Sequence, residues 1–361
     1  MFSDSEFTGG QNLSVIIKLC RLVHFTNNKF INIEYQTDPI LHVSKSFEVH
    51  MKFCFFENIS RFVMLAKHSY FINLKNIFVK DIAAPNQTPK QSLFSLYRSK
   101  LFILTNSSFS NIKYSSVIFS GITYIRLLNT IFVNCVCPLR IANHQTKSNL
   151  TILFLRSRFI SCGCKLPGGS LFILMNTSKR KTTKSNNEFY DILQMSINIK
   201  HTVFYYCNSK LHGGALSIII STKAITEIIN TSIFVINCSF YNNTSAQAGG
   251  VAHISNANFI YIKHCNFVLN AATNGGALFL HNIYRTVCAY SYFVRNKALK
   301  RGGGISVNTD KLTTFNNFHY TTNSADLHFC FYGNIFKNNF AYQGGAINAM
   351  LAYEAKLVSV N

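Results

Sequence analysis

Short apolar stretches separated by polar pairs recur along the whole chain, and they hold a register. Eleven phenylalanines mark it: Phe30, Phe56, Phe78, Phe109, Phe132, Phe159, Phe204, Phe240, Phe267, Phe293 and Phe336. Seven and five residues before each anchor the positions are apolar, as in Ile233 and Val235 before Phe240, with Thr286 and Asn73 the exceptions. Apolar residues two apart face the same side of a strand. Two residues before the anchor every unit carries a small or polar residue, from Asn28 and Cys54 through Asn76 to Ser291 and Asn334. Each unit therefore predicts two or three short strands joined by tight polar turns.

Three residues after the anchor the column keeps its place while its chemistry changes. It runs from Ile33, Ile59 and Ile112 through Cys135, Cys162 and Cys207 to Asn243, Asn270, Asn296 and Asn339. Eight or nine residues after the anchor, the second half of the chain adds glycine pairs: Gly168-Gly169, Gly213-Gly214, Gly249-Gly250, Gly275-Gly276, Gly302-Gly303 and Gly344-Gly345. Units as short as 22 or 23 residues leave no room for a helical crossover between parallel strands. A coil remains, each turn stacked on the last about 4.8 Å away so that like residues form ladders.

The expectation is an all-β, right-handed parallel β-helix of pectin-lyase-like architecture with 11–12 coils. It forms a single array over 1–361, with degenerate coils lacking glycine pairs over 1–158, glycine-pair coils over 159–347 and the start of a truncated coil over 348–361. Phe159, Phe204, Phe240, Phe267, Phe293 and Phe336 form an inner column, the four asparagines a polar ladder, and glycines such as Gly213, Gly214, Gly249, Gly250, Gly275 and Gly276 the corners.

Composition narrows the class. Of 361 residues 48% are hydrophobic, which excludes disorder as the main state. Only 13% are charged, and 35 Lys and Arg against 13 Asp and Glu give a net +22, a balance that favours anionic partners. The longest uncharged stretch, Ile228 to Ile262, is broken by Asn230, Asn237 and Gly249, so no transmembrane helix is predicted. The first ten residues include Asp4 and Glu6 and do not read as a secretory signal.

The segments FYNNTSAQAGGVAHI (Phe240 to Ile254), FVLNAATNGGALFL (Phe267 to Leu280) and FKNNFAYQGGAI (Phe336 to Ile347) resemble the FxxN and GGA[ILV] repeats of the chlamydial polymorphic outer-membrane proteins, which have counterparts in trichomonad surface proteins. The resemblance spans roughly Phe159 to Ile347. It implies a β-helical extracellular passenger linked to adhesion. Earlier coils depart from the pattern, no barrel follows the repeats, and both ends read as cut inside the array, so membrane attachment is expected only through regions outside this sequence.

Candidate chemistry is sparse. From Asp81 onward the carboxylates are Asp81, Glu188, Asp191, Glu227, Asp310, Asp326 and Glu354, and no two share a column in neighbouring coils. Glycosidase and lyase chemistry needs clustered carboxylates or calcium, so no catalytic residue and no cofactor is expected; a carbohydrate-active enzyme is the alternative. Cys135, Cys137, Cys162 and Cys164 fall in matching columns of adjacent coils, which suits buried thiols, stacked disulfides or zinc. No HExxH motif or histidine column marks a metal site. Lys179, Arg180, Lys181 and Lys184 form a basic insertion, with Lys297, Lys300 and Arg301 on a later turn. The functional expectation is a cell-surface, non-catalytic protein whose partners are anionic glycans or host surface proteins rather than a specific nucleic acid; a structural stalk is the remaining alternative.

Overall fold

A computed structural model describes residues 1–8, 14–33, 39–60, 63–83, 92–143, 149–177, 193–222, 229–309 and 328–350. They contain strands and turns but no helix. Three twelve-stranded sheets run the length of the molecule, and each rung visits them in the order A, B, C before rising to the next. Sheet A runs from Phe2–Ser3 to His328–Tyr332, sheet B from Glu6–Thr8 to Ile335–Lys337, and sheet C from Val15–Lys18 to Ile347–Met350. Neighbouring strands pair in parallel, like on like, as in Phe240 with Phe267 and Phe267 with Phe293. The chain is a parallel β-helix.

Phenylalanine rings form the axis of the core. From Phe109 to Phe336 they stack face to face at 4.5 to 5.2 Å between centroids, and Phe7, Phe30 and Phe56 stack the same way below. The column therefore has twelve rungs and begins at Phe7, one rung before the first anchor read from the sequence. Offset parallel rings favour this repeat, and each buried ring removes a large apolar area from water.

The fourth rung corrects the sequence alignment by one residue. Phe78 pairs with Phe55 and Ser108 on the outer face and is 46% exposed, while Val79 pairs with Phe56 and Phe109 inside. A slip of one residue turns a strand over. With Val79 as anchor, Leu74 and Ile72 supply the apolar columns, Ile77 replaces Asn76 two residues before it, and Ile82 joins the isoleucine column, all buried. Valine leaves space in the ring stack. Phe94 of sheet C fills it, meeting Phe56 at 6.4 Å and Phe109 at 6.1 Å edge to face.

Turns after sheets A and B share one device. Asn27, Asn106, Asn129 and Asn237 after sheet A, and Asn32, Asn134 and Asn242 after sheet B, have φ between +49° and +55°. This left-handed conformation suits asparagine better than other non-glycine residues. The next residue points inward and bonds vertically. After sheet A, the Asn28 amide, the Cys54 thiol and the Asn334 amide donate to the carbonyls of Phe2, Phe25 and Cys288 in the rung below.

After sheet B the asparagine ladder is continuous. The Asn270 amide donates to the Phe240 carbonyl at 3.1 Å and to Asn296 Oδ1 at 2.9 Å, while Asn270 Oδ1 accepts from the Asn243 backbone N–H at 2.9 Å. Asn243, Asn296 and Asn339 repeat the pattern on Phe204, Phe267 and Phe293. Cys135, Cys162 and Cys207 send their thiols to the corresponding carbonyls of Phe109, Phe132 and Phe159.

Glycine pairs accompany a fourth, five-stranded sheet, D, from Gly163–Cys164 to Lys297–Arg301. Gly249 has φ +67°, and a Cβ on Gly250 would lie 2.0 Å from the Gly276 carbonyl oxygen of the rung above. Only hydrogen fits between these backbones.

Candidate interaction surface

The predicted ladder residues lie in the interior and corners, where they build the rod. Phe159, Phe204, Phe240, Phe267 and Phe293 are buried, as are Asn243, Asn270 and Asn296; Phe336 and Asn339 in the last rung are half-buried. Thiol chemistry is suppressed in this environment. Burial raises Cys162 and Cys207 well above the ordinary thiol range and pushes Cys288 up to about 12, leaving no thiolate at neutral pH.

The four cysteines in matching columns divide into two kinds. Cys135 and Cys162 are free and buried, whereas Cys137 and Cys164 form a disulfide across adjacent rungs with Cα atoms 4.8 Å apart. Among the described residues no group of three or more His, Cys, Asp or Glu is arranged to hold a metal ion.

Charge is segregated along the axis. The described carboxylates are Asp4, Glu6, Glu48, Glu57 and Asp81, all within the first four rungs. The ion pairs of Lys29 with Glu6, His50 with Glu48, and Lys80 with Glu57 and Asp81 lie there too. A bond from the Asn111 amide, followed by Lys80, holds Asp81 below the usual carboxylate range. Beyond Asp81 the acids Glu188, Asp191, Glu227, Asp310, Asp326 and Glu354 lie outside the described residues. Arg158, Lys263, Arg285, Arg295 and Lys337 have no described carboxylate in their half of the rod.

Lys179, Arg180, Lys181 and Lys184 fall between strands Leu171–Thr177 and Leu193–Lys200, outside the described residues. Lys297, Lys300 and Arg301 differ from expectation: they sit on the sheet D strand Lys297–Arg301 rather than on a turn. Lys297 and Lys300 are exposed, and Arg301 is half-buried with its Nε donating to Gln343 Oε1 at 3.2 Å.

A further cluster, not singled out from the sequence, lies on the outer face of sheet A in rungs 9 to 12. Outward residues of successive strands bring Phe234, Phe259 and Tyr261 together, with ring centroids 5.8 to 6.4 Å apart. Above them Tyr290 lies between His264 at 5.5 Å and Tyr332 at 5.4 Å. Two cations cap these rings: the Arg285 guanidinium is 5.7 Å from the Phe259 centroid and Lys263 Nζ is 5.9 Å from that of Tyr290. Tyr290, His264 and Arg285 are exposed and the other rings half-buried. The pieces lie almost a hundred residues apart between Phe234 and Tyr332; Phe234, Phe259 and Tyr261 meet through shared outward columns, two strand positions apart, whereas His264 and Tyr290 stand in equivalent turns just after their strands.

No protein-family model, curated protein or solved structure matches the chain.

Proposed function

We propose that this chain is an extracellular, non-catalytic β-helical surface protein of adhesin or passenger type, contacting host or matrix surfaces through its lateral faces. The carrying observation is the distribution of surface chemistry. A rigid stack presents rings and cations on one outer face while its described carboxylates stop at Asp81, an arrangement suited to holding an anionic partner. The Cys137–Cys164 disulfide supports an oxidising compartment, since such bonds persist mainly outside the cytosol.

Purified oxidised chain should bind intact cells or extracted matrix saturably and leave acidic polysaccharides at their original length. Depolymerisation would replace this reading with a carbohydrate-active enzyme. Absence of binding to any cell or matrix preparation would leave a structural stalk.

A further inference from the structure

We infer that the outer face of sheet A in rungs 9 to 12 binds an acidic polysaccharide laid along the rod, its sugar faces against the Phe234, Phe259, Tyr261 and Tyr290 rings and its acid groups against Arg285 and Lys263. This inference rests on the surface role proposed above and gives that role a ligand class and a location.

Three observations converge on the site. Its rings are half-buried or exposed on the outer face of a continuous sheet or, for Tyr290, in the turn that ends a strand of it, where large apolar side chains are retained at a hydration cost unless something covers them. Aromatic rings with an adjacent cation suit a ligand that is apolar on one face and anionic at its edge. Arg285 and Lys263 rest over Phe259 and Tyr290 rather than being neutralised by a described carboxylate.

The geometry also favours a polymer. Strand partners Ser232, Phe259, Arg285 and His328 advance one rung at a time, as do Phe234, Tyr261, Val287 and Cys330. The resulting surface is a linear track with a repeat of about 4.8 Å. Both nucleic acid and acidic glycan are anionic polymers. The disulfide between rungs 6 and 7 favours the glycan, because the oxidising compartments that preserve such a bond are those of cell surfaces and matrices.

The test uses the full chain with its disulfide formed. Binding is measured at low and high salt to heparin, to a non-sulfated polyuronate, to neutral dextran and to single-stranded DNA. Heparin or polyuronate should bind and dextran should not. Combining Tyr261→Ala with Arg285→Gln should weaken the acidic glycan by about tenfold or more. The exposed pair Arg156→Gln and Arg158→Gln, in rung 7, removes more charge elsewhere and should cost under about threefold. Unfolding curves establish that both variants remain folded.

Equal losses in the two variants would overturn the site in favour of diffuse charge. Tighter binding of DNA, lost with the same sheet A variant, would overturn the ligand class. Unchanged cell binding by a sheet A variant that no longer binds glycan would remove this inference and leave the surface role intact. Failure of the unmodified chain to bind cells or matrix at all would remove that role itself.

Discussion

Rungs 2 to 6 and rungs 9 to 12 stack around the same ring column but close the corner after sheet B in different ways. The lower rungs place Ile33, Ile59, Ile82, Ile112 and then Cys135 there, relying on apolar packing. The upper rungs place a bonded asparagine ladder there, followed by sheet D and a glycine pair. Backbone groups at an isoleucine corner must be satisfied by backbone partners, whereas the asparagine supplies both a donor and an acceptor. The upper corner is therefore more exacting in shape and composition, and the lower one more tolerant. The described carboxylates follow the same division, lying in the lower rungs only, whereas rings with cations over them occur in both regions, Lys100 over Tyr70 below and Arg285 over Phe259 above.

The sharpest break in the comparison is expected at the glycine pair. Gly250→Ala places a methyl carbon against an immovable backbone carbonyl, so it should cost more than about 4 kcal/mol and abolish cooperative unfolding of the upper rungs. Phe56→Ala and Phe267→Ala should each cost about 3 to 5 kcal/mol, measured by urea unfolding. A large difference between the two would mean that the shared ring column does not support both regions equally.

The polar ladder should separate the regions more finely. Asn270→Ala removes the acceptor of the buried Asn243 N–H and two donated bonds, an expected loss of about 3 kcal/mol. Cys162→Ala removes a small buried side chain whose thiol bonds are 3.5 and 3.6 Å long, and should cost about 1 kcal/mol. Equal losses would indicate that the ladder contributes no more than the thiols it replaces.

Acid should act mainly on the upper rungs. His253 lies between His212 and Phe279, with ring centroids 4.7 and 5.5 Å away, and its buried Nδ1 has no hydrogen-bond partner. Burial, then His212 and His281, lowers its pKa from 6.5 to about 3. The folded state keeps this ring neutral while the unfolded chain takes up a proton below pH 6.5. Stability should therefore be full above that pH and fall by about 1.4 kcal/mol per pH unit toward pH 3. His253→Gln should flatten this slope in unfolding curves taken at pH 7 and pH 5.

The repeat was legible because vertical stacking imposes the same demand on every coil, and that demand appears directly as residue columns. Where a column broke, the sequence held the clue. Asn73 was the one polar residue in an apolar column, and moving the anchor from Phe78 to Val79 places Leu74 there instead. Phe94 could not be read as the filler of the resulting gap, because it belongs to another sheet and packs across the interior. Cysteine columns gave proximity but not pairing. Cys135 and Cys162 point into the core, while Cys137 and Cys164, two residues farther on, meet at the corner. The sheet A cluster was obscure for a different reason: the inner column constrains residue type strongly, and the outer face only through what it meets.

The disulfide has a mechanical consequence for a rod whose strands lie across its axis. Pulling on the two ends would part the coils one after another, as a zipper opens, with each detached coil lengthening the tether. Cys137 and Cys164 are 27 residues apart, so their covalent bridge withholds about 90 Å of contour length from that extension. Tension passes across the bridge instead of through the intervening strands. Single-molecule stretching should show this length as a missing increment that returns on adding a reductant.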